Sequence, residues 1–269
     1  MVRNDTFYAD KWINYYGAQF GYKNLYLFID GEDQQLPKMS DKINCFQEPH
    51  IPMKRAKGDR YRARKISYFA QSLFKKYEVV LAMDIDEFLV LDPNVEGSLS
   101  DYLLSNFQRD SISALGIDVG QHKNLEQPID LNKPFLSQRR FAQVSDRYTK
   151  PIVAFKPLTW GSGYHRVKGK NFKVDEYLFL FHFGLVDLDT TLLKITDKEI
   201  TEAGWSGHMD RRLALFQDIL KGPVENTESF IVTARTYFNT TRKWYAWNKP
   251  SPIKGNAVIE IPDRFKSIV

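Results

Sequence analysis

The chain has 269 residues, of which 43% are hydrophobic, 26% charged and 14% aromatic. That balance supplies a sizeable core and excludes disordered, collagen-like and coiled-coil chains. A net charge of +5 suits anionic partners such as phosphates, nucleic acid or a membrane surface without choosing among them, and the single cysteine, Cys45, excludes an internal disulfide and fits a reducing compartment.

Asp5 reads as the cap of a helix over 6–20, in which Tyr8, Trp12, Tyr16 and Phe20 recur every four residues and Gly21 follows as a stop. The apolar run 25–29 predicts a buried strand ending in a turn at Asp30-Gly31, and Ile43 to Phe46 a second strand. Helical spacing returns over 59–77, with Ile66, Phe69, Leu73 and Tyr77 on one stripe. A further buried strand, Val79 to Met83, runs directly into Asp84-Ile85-Asp86-Glu87. Beyond Pro93, Ser98 opens a helix to about Phe107, and Ile112 to Ile117 is strand-like. Such alternation predicts an α/β fold whose central sheet is mainly parallel and flanked by helices.

The second half is less regular. Phe135, Ile152 to Phe155 and Leu178 to Phe183 read as strands, with a glycine-rich turn from Trp160 to His165 between them. A helix follows over 206–221, then an aromatic, proline-containing tail with Trp244, Tyr245, Trp247, Pro250 and Pro252. No linker divides the chain, so the expectation is one domain over 1–221 and a C-terminal extension, 222–269, packed on it. The longest uncharged apolar run, Tyr177 to Val186, is far short of the roughly 20 residues of a spanning helix. Met1 to Asp5 lacks the apolar stretch of a signal peptide, and the expected location is cytoplasmic.

The strongest local signal is the acidic run after the strand at 79–83. If the strand continues, Asp84 and Asp86 share one face and Glu87 points away. Three clustered acids resist ionisation unless a cation sits among them, and a hard divalent ion held by carboxylate oxygens meets that need. In open α/β sheets, ligands gather beyond the carboxyl ends of strands. The alternative is that the acids cap the next turn or pair with lysine and arginine.

Three pieces occur in a telling order. Val2-Arg3-Asn4-Asp5 is followed by Trp12, Tyr15, Tyr16, Gly21 and the strand ending at Asp30; then come Met83-Asp84-Ile85-Asp86-Glu87-Phe88-Leu89; and last Gly163-Tyr164-His165 with Phe181-His182-Phe183. Over roughly residues 1–195 the sequence resembles the bacterial family-2-like glycosyltransferases of the nucleotide-sugar-binding GT-A fold. Their subgroup motifs read Arg-Asn-Glu, Asp-x-Asp-Glu-Phe and a late His-Tyr or His-Phe. The resemblance implies a GT-A-like fold and transfer of a sugar from a nucleotide diphosphate sugar to a hydroxyl on a saccharide or glycolipid, with Mn2+ or Mg2+ as cofactor. It further implies that Asp84 contacts the donor ribose or the metal, that Asp86 and His182 ligate the metal, that Glu87 orients the site, and that Arg3 and Asp30 hold the nucleotide. A mixed nitrogen and oxygen shell suits Mn2+ better than Ca2+. Two departures stand out: the family's first strand is reduced here to Met1-Val2, and Asp5 replaces the usual glutamate.

Basic residues crowd one stretch: Lys54, Arg55, Lys57, Arg60, Arg62, Arg64 and Lys65. Most form a solvated helix face. Arg60 and Arg64 lie one turn apart and are the candidate diphosphate clamp, because arginine offers a planar fork to phosphate. No nucleic-acid-binding motif accompanies them, so nucleic acid is not an expected partner. Loose contact with an anionic inner membrane face is compatible with the charge.

Inverting transfer needs a base. Asp118, between Gly116 and Gly120, is the first choice, with Asp175 and Glu176 as alternatives. His165 is assigned to the acceptor or phosphate pocket. Trp160 and Trp205 either stack on a sugar or pack in the core. The rival functions are a metal-dependent phosphohydrolase and a non-catalytic binding protein.

Overall fold

Helix and strand alternate through the first 120 residues, as their periodicities predict. The structure, a computed structural model, describes residues 1–106, 109–185, 187–196, 204, 206–223, 226–255 and 257–269. The first half comprises α1 (Thr6–Phe20), β1 (Tyr26–Asp30), β2 (Asn44–Glu48), α2 (Arg55–Leu73), β3 (Val80–Leu81), β4 (Glu87–Leu91), α3 (Leu99–Leu104) and β5 (Ser111–Gly120). The second comprises β6 (Phe141–Val144), β7 (Val153–Ala154), β8 (Val174–His182), α4 (Leu188–Ile195), α5 (Ser206–Ile219), α6 (Thr227–Thr240) and β9 (Val258–Glu260). Phe135 opens a short 3-10 turn rather than a strand.

The expectation of a mainly parallel, GT-A-like sheet is wrong. β1 and β2 form a separate two-stranded parallel sheet. The other seven strands make one sheet in which β5 pairs antiparallel with β7 and β6, β3 with β7, β6 with β9, and β4 with β8; only β5 and β8 run parallel. The parallel-sheet rule rests on helical crossovers joining neighbouring strands. Here the three strands beside β5 come from the irregular second half of the chain, and two of them, β6 and β7, run against it. Alternation gave the type of each element and left its partner open.

The long strand β5 is buried along its length and organises the core. Leu115, Ile117 and Val119 belong to one buried cluster with Leu178, Leu180 and Phe181 of β8 and Phe88 and Val90 of β4. The segment after 221 belongs to this same core. β9 closes one edge of the sheet, and the fully buried Phe265 ring packs against Phe179 and Phe181.

The aromatic stripe of α1 covers the exposed edge of β4. Tyr8 and Tyr16 are buried, and the Tyr16 hydroxyl accepts the Leu89 amide at 2.6 Å while donating to the Glu87 carbonyl at 3.2 Å; Tyr15 donates to the Leu89 carbonyl at 2.7 Å. An edge strand must place its backbone groups somewhere, and tyrosine hydroxyls do so here. Tyr16→Phe strands the buried Leu89 amide and lowers the unfolding free energy by about 1–3 kcal/mol, measurable by urea titration. No described helix is long and apolar enough to cross a membrane.

Candidate active site

The acidic run does not continue a strand. β3 ends at Leu81 and pairs with β7, whereas β4 begins at Glu87 and pairs with β8. Asp84 and Asp86 occupy the break between them. Glu87 closes it: its amide reaches the Asp84 carbonyl at 3.3 Å, and its Oε2 accepts the Asp84 amide at 3.2 Å. The most buried acid is therefore Glu87, at 0% exposure, while Asp84 and Asp86 keep 37% and 21% of their side chains open.

Lys150 supplies a cation among these acids. Its ammonium lies 2.9 Å from Asp84 and pairs with Glu87, and its side chain is 2% exposed. Burial opposes its charge, but Asp84 and Glu87 outweigh that and hold the ammonium protonated. For Asp84, burial works toward protonation; Lys150 and Arg62 overcome it and keep the carboxylate ionised. Glu87 behaves oppositely, pushed up to about 7 by burial, with Lys150 opposing and Asp84 and Asp86 adding to the rise. Gly116 lets Lys150 reach this place. A Cβ there would sit 2.2 Å from the Tyr148 carbonyl carbon and 2.3 Å from the Thr149 nitrogen, so the 145–150 segment lies directly on β5. The Gly116 amide donates to Thr149 Oγ1 at 2.9 Å.

Strand register brings the late histidine to the acids. His182 pairs with Glu87 on one side and Asp118 on the other, forming one row across β4, β8 and β5. Its Nε2 is 3.3 Å from the Asp86 carboxylate and its Nδ1 is 2.8 Å from Asp118. The Tyr148 ring stacks on the imidazole at 3.5 Å and 15°. Burial alone would lower the His182 pKa; Asp86 and Asp118 overcome it and push it up to about 9. Gly184, at φ 45°, turns the chain after β8, where a Cβ would meet His182 Cε1 at 2.8 Å. The second imidazole of this region, His208 of α5, is driven down to about 3 by burial and then by the positive charge of His182 and Arg212, so it is neutral at pH 7.

Asp118 is held from two sides. Besides His182 it pairs with the buried Arg212, whose guanidinium also donates to the Val119 carbonyl at 2.7 Å. Burial pushes the Asp118 pKa up, but Arg212 and His182 bring it below the usual carboxylate range. Such a carboxylate orients an imidazole better than it accepts a proton.

The remaining expected residues form two other groups. Arg3 makes a two-pronged pair with Asp33 at 2.8 and 2.9 Å and donates to the Asp30 carbonyl at 2.9 Å, while Asp30 faces His50 at 3.1 Å. Arg60, Arg64 and His165 lie together around a different cavity. Trp160 is buried with its Nε1 donating to the Pro151 carbonyl at 2.7 Å, which is packing, and Trp205 lies outside the described residues. Asp175 is buried beneath Tyr102 at the opposite end of β8 from His182, and Glu176 is exposed beside it.

Sequence reasoning missed Lys150, Tyr148, Arg212 and Arg62. Arg212 had left a signal. It falls on the buried stripe of α5 with Met209, Phe216 and Ile219, a charge on an apolar face. Arg62 projects from the side of α2 away from Arg60 and Arg64, and Asp84 and Asp59 both act on it.

Neither a protein-family model nor a curated protein matches the chain.

With the His182 Nε2 proton displaced by the metal, the Asp86 and His182 donors suit a divalent ion. Neighbouring ligands of an octahedral ion bound at about 2.1 Å stand about 3 Å apart, close to their 3.3 Å separation. A carboxylate on the other imidazole nitrogen, here Asp118, is the usual support of a metal-bound histidine. Asp84 is committed to Lys150 and stands apart. Among the described residues no group of three or more His, Cys, Asp and Glu is disposed to hold a metal unaided. An ion on Asp86 and His182 would take further oxygens from water and a phosphorylated ligand, as Mg2+ commonly does.

Proposed function

We propose that the protein transfers a sugar from a nucleotide diphosphate sugar to a hydroxyl acceptor, with Mn2+ or Mg2+ held by Asp86 and His182. The observation that carries this reading is the row Asp86–His182–Asp118, with two donors converging at the open end of the strands and the third residue fixing the imidazole. The ion would neutralise the departing diphosphate. Arg62 adds a guanidinium beside Asp84, where the helix cation was expected from Arg60 or Arg64. Asp118 serves as a positioning residue in this scheme, not as the base. The motif order Arg3-Asn4-Asp5, Asp84 to Phe88 and His182 supports the same reading.

The test is a thermal-shift panel of nucleoside diphosphates with and without Mn2+, followed by release of nucleoside diphosphate from sugar donors. A ligand at 100 times its Kd raises stability by about 2.7 kcal/mol. Stabilisation that needs both nucleotide and metal, and acceptor-dependent release, is the expected result. Release of free phosphate instead would replace transfer by hydrolysis. Arg212 and His182 share one Asp118 oxygen; Asp118→Asn keeps an oxygen there but removes the charge that supports the imidazole, and should raise the Mn2+ concentration for half-maximal activity by about 10–100-fold.

A further inference from the structure

One side of α2 and the tail enclose a cavity of about 390 Å³ that the chemistry above does not use. Five cations line it: Arg60 and Arg64 from α2, Arg166 and Lys168 from the segment after the glycine-rich turn, and Lys249 from the tail. No carboxylate lines it, and none of the five pairs with a carboxylate among the described residues. Like charges gathered around one hollow repel each other, and the arrangement persists because the scaffold is fixed by contacts that do not involve them. The Trp160 amide donates to Ser67 Oγ of α2 at 2.9 Å, and Asn248 Nδ2 donates to the Val167 carbonyl at 3.0 Å, bringing Lys249 to the rim.

His165 belongs to this cavity and is within electrostatic reach of the acids. It lines the hollow, its Nδ1 is 2.8 Å from the Arg147 carbonyl, and the charges of Lys150 and Asp84 reach it. Beside Lys249 the tail exposes Trp244, Tyr245 and Trp247 at 87%, 63% and 44%. Exposed indoles are costly to leave in water and make flat platforms for the apolar faces of sugar rings.

We infer that this basic cavity, with the neighbouring tail aromatics, binds an acceptor saccharide that carries a phosphate group. The anion sits among Arg60, Arg64 and Lys249, and a sugar ring lies toward Trp247. The acceptor assignment rests on the transferase reading; the anion site does not.

Calorimetry in the presence of a chelator tests it, using glucose 6-phosphate, glucose and inorganic phosphate as probes. Glucose 6-phosphate should bind at least tenfold tighter than glucose, and tighter than inorganic phosphate. Arg60→Glu/Arg64→Glu should lower its affinity at least tenfold while leaving nucleoside diphosphate binding, measured separately with Mn2+ and no chelator, unchanged. Trp247→Ala should weaken glucose 6-phosphate severalfold and inorganic phosphate not at all. Both arginines are exposed, so the fold should survive; Arg60→Gln/Arg64→Gln provides a milder second variant. Unchanged glucose 6-phosphate affinity in both double variants overturns the proposal. An equal loss of nucleoside diphosphate binding makes the cavity the donor's clamp instead. Sedimentation with phosphatidylglycerol vesicles that Trp244→Ala/Trp247→Ala abolishes, with sugar phosphate binding intact, makes the tail a membrane contact and overturns the saccharide part. Phosphate binding without any nucleotide response would sink the transferase reading and leave the anion site standing.

Discussion

Lys150→Met lowers the unfolding free energy by about 3–5 kcal/mol in urea titrations at pH 7, because it removes one partner of a buried ion cluster and leaves the others behind. The lysine is 2% exposed and touches both Asp84 and Glu87, the latter fully buried. A methionine of similar length fills the space, so the loss reports charge and not volume. Adding Glu87→Gln should recover most of it, since a neutral amide needs no counter-ion. A loss below about 1 kcal/mol would show that solvent already screens the acids. The effect also separates two ways of neutralising the acidic run. In the sequence that duty falls to a divalent ion; in the fold an ammonium takes a share of it, and Asp86 and His182 are the pair proposed to hold a metal.

Asp86→Ala is the second large effect, and on the proposed transferase reading it falls on activity. Transfer should drop by at least about 10²–10³-fold, the usual loss when one group stabilising a developing anion is removed. The Mn2+-dependent stabilisation by nucleoside diphosphates should vanish with it. The fold should persist, because Asp86 lies in the loop between β3 and β4 and His182 keeps its bond to Asp118. Activity within a few-fold of the parent protein would remove Asp86 from the reaction. Retained activity with lost metal dependence would instead show that the surrounding cations neutralise the diphosphate alone.

These two positions also show why reading the motif as a strand end misplaced its parts. In sequence, Asp84 and Asp86 read as two equals on one face of a continuing strand, with Glu87 turned away. The break between β3 and β4 gives them three environments. Asp84 pairs with Lys150, Asp86 faces His182, and Glu87 is sealed beneath them with its pKa pushed up to about 7. Similarly, Arg60, Arg62 and Arg64 read as one basic stretch, yet the 3.6-residue repeat places Arg62 near the acids and the other two around a separate cavity.

What the sequence determined by itself was local. Spacing of aromatics defined α1 from 6 to 20, apolar runs located β1, β5 and β8, and motif order pointed to Asp84, Asp86 and His182 together, without separating them. These follow from side-chain periodicity and chain stiffness, which act over a few residues. Only the tertiary structure decided which strands pair, that the main sheet is largely antiparallel, and that Lys150, Tyr148 and Arg212 close around the acids and His182. Each of those outcomes joins residues dozens of positions apart. It depends on hydrogen-bond register and on the close approach that Gly116 permits, quantities that no local pattern encodes.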